Sequence, residues 1–157
     1  MPIKPQEILS PQRVVDLRGT TKQAVLAEMV AALATSPHVT DPKDLLAKVM
    51  EREEVLSTGV GVGLALPHVK IASVKDFVVG VGRHRDGVDF DAIDGEPVHL
   101  VVMIGCNENQ SADYLKVLSR VVRSLKEKSF QQRILAAARP TEVVSLFLSA
   151  EGPFGAP

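Results

Sequence analysis

A histidine that follows a proline after an apolar segment is the residue whose surroundings most favour chemistry. His68 comes directly after Pro67, and the apolar segment 64–66 precedes both. The fixed φ of proline stiffens the chain just before the imidazole. A neutral imidazole held in this way at the rim of a core is a candidate nucleophile near neutral pH. The alternative is a histidine at a strand end that only hydrogen-bonds its neighbours.

Three glycines spaced two residues apart precede this histidine. Gly59, Gly61 and Gly63 permit close backbone approach and leave N–H groups free, an arrangement that favours anions. A dinucleotide-binding loop would need a strand before the glycines and a helix after them. Here a predicted helix comes first, and Pro67 blocks a helix soon afterwards. The pattern therefore argues against a nucleotide cofactor.

The other histidines and the cysteine favour structural roles. His38, His84 and His99 show no metal-ligand spacing, and a single cysteine, Cys106, argues against a zinc site. Cys106 ends a predicted strand, where it fits the role of a small buried hydrophobe. We therefore expect no metal.

Charge and hydropathy exclude several classes of protein. In 157 residues, 18 Lys and Arg nearly balance 19 Asp and Glu, which argues against a nucleic-acid coat. No apolar run approaches the length of a membrane helix, and Met1–Pro11 carries no secretory signal. One cysteine is compatible with a reducing compartment. We expect a cytoplasmic protein without nucleic-acid partners or membrane insertion.

Apolar periodicity and cap residues predict five helices. The predicted ranges are 22–35, 42–54, 111–127, 130–138 and 141–149. Thr20 or Thr21, Asp41 and Ser111 are the predicted N-caps of the first three.

Apolar and β-branched runs predict about five strands. Their ranges are 13–17, a short buried strand that stops at 67–68, 76–82, 88–90 and 98–104. Residues 83–87 are predicted to form a turn before the fourth of these strands.

The order of these elements indicates the fold class. Two helices, a cluster of strands and three further helices predict an α/β fold, with a mixed β-sheet of about five strands covered by helices on both faces. Residues 1–157 have the size of one domain. We expect a core over about 8–152 and a frayed tail over 153–157.

Several motifs resemble those of the fructose/mannitol-type enzyme IIA domains of the bacterial phosphotransferase system. These motifs are 52–54 (REE), 57–61 (STGVG) and 63–68 (GLALPH). The segments 90–94 (FDAID) and 133–152 are similar to the nitrogen-related branch of that family. The resemblance covers about 8–152 and implies a single EIIA type-2 domain with the mannitol/fructose-type enzyme IIA fold.

The resemblance also implies roles for individual residues. His68 matches the phosphoryl acceptor, and Arg52 matches the active-site arginine. Such an arginine is needed because its planar fork matches the oxygens of a phosphoryl group. Ser57 and Thr58 would support the phosphoryl group or the glycine-rich turn, two alternatives that the sequence leaves open.

Two positions depart from the family pattern. Tyr114 occupies the place of the second active-site histidine, and Val69 follows His68 where glycine is common. A tyrosine donates a hydrogen bond but stays neutral near pH 7, so it does not replace an imidazolium. Both departures put efficient sugar-pathway flux in doubt.

The expected function is that of a phosphoryl carrier without a cofactor. The resemblance implies an HPr-like donor and either a IIB domain or a regulatory protein as acceptor. The alternative is a protein-binding regulatory module that keeps the enzyme IIA fold but is not phosphorylated. Tyr114 and Val69 motivate that alternative.

Overall fold

The computed structural model describes residues 8–155 of the chain. Within them lie five α-helices and a mixed sheet of six strands. The helices are α1 (Lys22–Leu33), α2 (Pro42–Val55), α3 (Ser111–Leu125), α4 (Lys128–Ala136) and α5 (Pro140–Leu148). The strands are β1 (Val14–Asp16), β2 (Gly59–Gly61), β3 (Leu64–Ala65), β4 (His68–Lys70), β5 (Val78–Val88) and β6 (Val98–Cys106). The predicted α/β fold is confirmed, with one strand more than expected.

Strand β6 is the centre of the sheet. The strand order is β1-β5-β6-β3-β2, and β4 also pairs with β6. Strands β3 and β4 run parallel to β6, whereas β5 runs antiparallel to it. His68 is in register with Ile104, so β6 determines where the first residue of β4 lies.

Side chains alternate across β6 and build a core on each face of the sheet. Leu100, Val102 and Ile104 pack with residues from α3, α4 and α5. Val101 and Met103 pack on the other face with residues from α1 and α2. The prediction of helices on both faces is confirmed.

Two of the predicted helix caps are present. Thr21 Oγ1 accepts a hydrogen bond from Ala24 N–H at 3.1 Å, and Asp41 Oδ1 accepts one from Asp44 N–H at 3.1 Å. The third prediction was wrong, because Gln110 is the N-cap of α3 and Ser111 is its first helical residue. The Ser111 hydroxyl instead accepts a hydrogen bond from Lys70 Nζ at 2.8 Å.

The predicted turn over 83–87 and separate strand over 88–90 were also wrong. Strand β5 runs without interruption to Val88, and its register with β6 shifts between Arg83 and Val88. Gly87 has φ +84°, which lets the additional residues bulge before pairing resumes between Val88 and Val98.

The segment before His68 is more ordered than predicted. Strands β2 and β3 form a short antiparallel pair in place of a loop. His68 begins β4, whereas the sequence places it at the end of a strand. The pairing with β6 explains the difference. Strand β3 pairs with β6 before Pro67, and the chain pairs with β6 again from His68 onwards, as β4.

The C-terminal segment is packed up to the last described residues. Phe154 is only 4% exposed, and its ring centroid lies 6.1 Å from that of Phe147. Its N–H donates a hydrogen bond to the Phe147 carbonyl at 3.0 Å. Within the predicted tail, residues 153–155 are thus anchored to α5 by an aromatic side chain. Residues 1–7 and 156–157 lie outside the described residues.

Candidate active site

A surface cleft of about 290 Å³ contains three residues that the sequence singled out. His68, Arg52 and Tyr114 line it together, although they come from β4, α2 and α3. The remaining lining residues are Lys48, Glu51, Val55, Val69, Lys70 and Ile71. The tertiary structure thus brings the predicted acceptor, the predicted phosphate clamp and the departing tyrosine to one place.

The backbone determines which nitrogen of His68 is free. Nδ1 lies 2.6 Å from the carbonyl oxygen of Leu66. Since a carbonyl only accepts, Nδ1 carries the proton of the neutral ring, and the lone pair is on Nε2. This tautomer presents Nε2 as the nucleophilic atom.

The surroundings of His68 also favour its neutral form. Burial lowers the pKa of the imidazole, and the nearby charge of Arg52 lowers it further. The hydrogen bond to Leu66 and the charge of Glu53 raise the pKa, but these effects are smaller, so the pKa of His68 is below its ordinary value of 6.5. A neutral ring at pH 7 is what nucleophilic attack requires.

This balance predicts a measurable pH dependence. We expect His68 to titrate below pH 6.5, and the Arg52→Gln substitution to raise its pKa because a neighbouring positive charge is removed. NMR titration of the imidazole resonances measures both values, with the exposed Arg139→Gln substitution as control. A His68 pKa that is equal in the Arg52→Gln and Arg139→Gln proteins would contradict the prediction.

Arg52 lies in the last turn of α2, where it also closes the helix. Its Nη1 donates a hydrogen bond to the carbonyl of Leu56 at 2.9 Å. Within residues 8–155, the guanidinium forms no ion pair with a carboxylate. The rest of the fork is therefore available to an anion in the cleft.

Tyr114 lies across the cleft from His68. The two ring centroids are 5.9 Å apart, with planes tilted by 50°. Burial raises the pKa of the tyrosine hydroxyl to about 12, so the group is a neutral donor at physiological pH.

Lys70 is a residue of the cleft that sequence reasoning missed. Its Nζ lies 5.7 Å from the Tyr114 ring centroid and donates a hydrogen bond to Ser111. Side chains two residues apart on a strand share a face, so Lys70 projects from β4 on the same side as His68. Strand periodicity starting at His68 was the signal that could have found it.

The two hydroxyl residues after α2 are engaged within the protein. Ser57 Oγ donates a hydrogen bond to the Phe90 carbonyl and accepts one from Gly59 N–H at 3.1 Å. Thr58 is only 3% exposed, and its hydroxyl donates to Glu53 Oε2 at 2.6 Å. These contacts favour support of the turn over direct contact with a phosphoryl group.

The three glycines also shape the turn and do not line the cleft. A Cβ on Gly59 would lie 2.8 Å from the Cβ of Ala92, so this glycine permits close packing against that residue. Gly61 and Gly63 have φ of +92° and +77° in the turn between β2 and β3. None of the three lines the cleft formed by the described residues.

The described part of the chain contains neither a metal-binding cluster nor a membrane-spanning helix. Within residues 8–155, no group of three or more His, Cys, Asp or Glu residues is placed to hold a metal ion. No helix in that range combines the length and apolar character needed to cross a membrane.

Comparison with curated proteins finds relatives along most of the chain. A fructose-specific EIIABC component of the phosphotransferase system from Bacillus subtilis is 32% identical over 145 residues, which is 92% of this chain and 23% of that protein. A fructose-specific EIIA component from Haloferax volcanii is 31% identical over 135 residues, which is 86% of this chain and 85% of that protein. The chain thus spans less than a quarter of the first relative and most of the second.

The structural and family comparisons agree with this similarity. The crystal structure of the nitrogen regulatory protein IIA-Ntr from Neisseria meningitidis superposes with a TM-score of 0.84 at 30% identity, covering 89% of this chain and 96% of that one. Residues 7–150 match the family described as "Phosphoenolpyruvate-dependent sugar phosphotransferase system, EIIA 2". The chain therefore belongs to the type-2 EIIA family of the phosphoenolpyruvate-dependent phosphotransferase system.

Proposed function

We propose that this protein is a phosphoryl carrier whose acceptor atom is Nε2 of His68. One observation carries the proposal. The protonated Nδ1 of His68 donates a hydrogen bond to the Leu66 carbonyl, and this leaves Nε2 unprotonated in a cleft that also contains Arg52 and Lys70. Two cationic side chains beside a neutral nucleophile suit the capture of a dianionic group.

The transfer step follows from this tautomer. The Nε2 lone pair forms a bond to the phosphorus of a phosphohistidine donor, while the donor nitrogen takes back the electron pair of its own P–N bond. His68 keeps its Nδ1 proton and becomes a cationic ring, which the Leu66 carbonyl stabilises. Arg52 binds the phosphoryl oxygens, over which the transition-state charge is spread. Tyr114 donates a neutral hydrogen bond from the opposite wall.

The proposed partners are proteins. We infer an HPr-like phosphocarrier as donor, and a IIB domain or a regulatory protein as acceptor. The similar proteins support both uses, since two are fructose-specific components and one is a nitrogen regulatory protein. We place the protein in the cytoplasm because phosphoenolpyruvate, the first phosphoryl source of such a relay, is produced there.

Intact-mass spectrometry tests this function. The protein is incubated with phosphoenolpyruvate, enzyme I and HPr, and its mass is compared with that of a sample without enzyme I. We expect a gain of one phosphate that is lost in acid and retained in base, as for phosphohistidine. An unchanged mass, with HPr shown to be phosphorylated in the same tube, would support a non-phosphorylating binding module.

The departure at Tyr114 gives a prediction of its own. We expect the Tyr114→His substitution to raise the rate of phosphoryl acceptance about fivefold, since a hydrogen bond from a charged donor is worth roughly 1 kcal/mol more than a neutral one. Rapid-quench kinetics with phosphorylated HPr measures the rate, and Tyr114→Phe is the matched control that removes the donor. A Tyr114→His rate at or below that of Tyr114→Phe would refute this account.

A further inference from the structure

Behind the cleft lies a buried carboxylate that the proposed transfer step does not use. Glu53 follows Arg52 in α2 and is only 7% exposed. Its Oε1 accepts a hydrogen bond from Thr58 N–H at 2.9 Å, and its Oε2 accepts one from the Thr58 hydroxyl at 2.6 Å. Nζ of Lys22, the first residue of α1, lies 3.0 Å from Oε1. The carboxylate is thus both hydrogen-bonded and paired with a cation.

Hydrogen bonds to the backbone of Thr58 and Leu66 link this carboxylate to the imidazole. The carbonyl of Thr58 accepts a hydrogen bond from Leu66 N–H at 2.9 Å. The carbonyl of Leu66 in turn accepts the bond from His68 Nδ1–H at 2.6 Å. The N–H and C=O of Thr58 belong to different peptide groups, as do those of Leu66, so Glu53 acts on the ring by fixing the backbone positions of these two residues.

Glu53 and Arg52 are adjacent on α2 but point in different directions. Successive residues of a helix point about 100° apart, and here Glu53 is buried whereas Arg52 lines the cleft. The segment after α2 is then held by both side chains, because Arg52 binds the carbonyl of Leu56 and Glu53 binds the N–H of Thr58.

Stability alone does not explain this arrangement. A buried ion pair is often no more stabilising than apolar residues of similar volume, because both charges lose their hydration. The Lys22 side chain is 11% exposed, and it also lies 3.4 Å from Asp91 Oδ2 and 5.3 Å from the centroid of the Phe90 ring. The pair therefore joins α1, the 90–91 segment and the end of α2 behind the cleft.

We propose that Glu53, held by Lys22, is a positioning residue of the transfer site, which fixes the tautomer and direction of His68 through Thr58 and Leu66. This inference rests on the proposed role of His68 as the phosphoryl acceptor. The charge of Glu53 also raises the pKa of His68, against the larger effect of burial. The other charged or titratable groups that share the cleft with the ring are Lys48, Glu51, Arg52, Lys70 and Tyr114.

Three substitutions separate positioning from folding and from loss of charge. Glu53→Gln keeps the size of the side chain but removes its charge and the ion pair with Lys22. Thr58→Val removes only the hydroxyl bond and leaves both charges in place. Glu54→Gln removes a charge from the exposed neighbouring residue and is the matched control.

Two measurements are made on each full-length protein. Nitrogen-15 NMR of the imidazole gives the tautomer and the pKa of His68, and rapid-quench kinetics gives the rate of phosphoryl acceptance. For Glu53→Gln we expect a smaller Nδ1–H fraction, a lower His68 pKa and a rate about tenfold lower. For Thr58→Val we expect smaller changes in tautomer and rate in the same direction.

The outcomes are distinguishable. The proposal is overturned if the Glu53→Gln and Glu54→Gln proteins have the same Nδ1–H fraction, the same His68 pKa and the same rate of phosphoryl acceptance. If Glu53→Gln does not fold, an unchanged tautomer in Thr58→Val overturns it instead. If the wild-type protein accepts no phosphoryl group, the proposed function fails, whereas the imidazole measurements still decide whether Glu53 positions the ring.

Discussion

Replacement of His68 by alanine is expected to abolish phosphorylation of this protein. The imidazole is the only histidine ring in the cleft formed by the described residues, and its Nε2 is the atom left unprotonated by the bond to Leu66. Alanine offers no nucleophile in its place. Intact-mass measurement with phosphoenolpyruvate, enzyme I and HPr should show no added phosphate, against one phosphate on the wild-type protein.

A second histidine provides the control for this substitution. His38 lies outside the cleft, so His38→Ala should be phosphorylated as fully as the wild type. Because His68 is only partly buried at the start of a short strand, His68→Ala should retain the circular dichroism of the folded protein. If folded His68→Ala protein still gains a phosphate, another residue is the acceptor.

Replacement of Arg52 by alanine is expected to slow phosphoryl acceptance about a hundredfold. The loss of one well-placed donor to a developing anionic charge typically has an effect of this order. The same change removes the hydrogen bond to Leu56, so the thermal unfolding midpoint is measured alongside the single-turnover rate. We expect the midpoint to change little, because this contact is exposed to solvent.

The Arg52→Lys substitution distinguishes geometry from charge. Lysine keeps the positive charge but lacks the planar fork that matches phosphoryl oxygens. If Arg52 is a bidentate clamp, Arg52→Lys should restore only a small part of the rate lost in Arg52→Ala. Wild-type kinetics in Arg52→Ala would exclude any role of this residue in the transfer.

Local signals in the sequence were sufficient for the fold class, and the family resemblance indicated His68, Arg52 and Tyr114, which meet in the cleft. Helix caps at Thr21 and Asp41 act within one turn of the chain, so they are readable without a partner. The nearly continuous apolar run along β6 is typical of a strand buried on both faces. The motifs around Arg52 and His68 indicated the family that the comparisons then showed.

Contacts between distant segments were not readable in this way. The continuation of β5 through Gly87 depends on its pairing with β6, and the packing of Phe154 depends on α5. The meeting of Lys22 with Glu53 joins residues that are 31 positions apart in the chain. Such pairings are selected by the fit of surfaces that come together only when the chain is folded.

The sequence by itself therefore indicated His68, Arg52 and Tyr114 as candidates for phosphoryl transfer, together with the two helices that carry Arg52 and Tyr114. Only the tertiary structure decided that Nε2 is the free atom of His68, that Lys70 shares its cleft and that Thr58 faces Glu53 instead of the cleft. The physical reason is that a ring tautomer and a buried ion pair depend on a few ångströms of separation between groups, which pairing with β6 and helix packing impose.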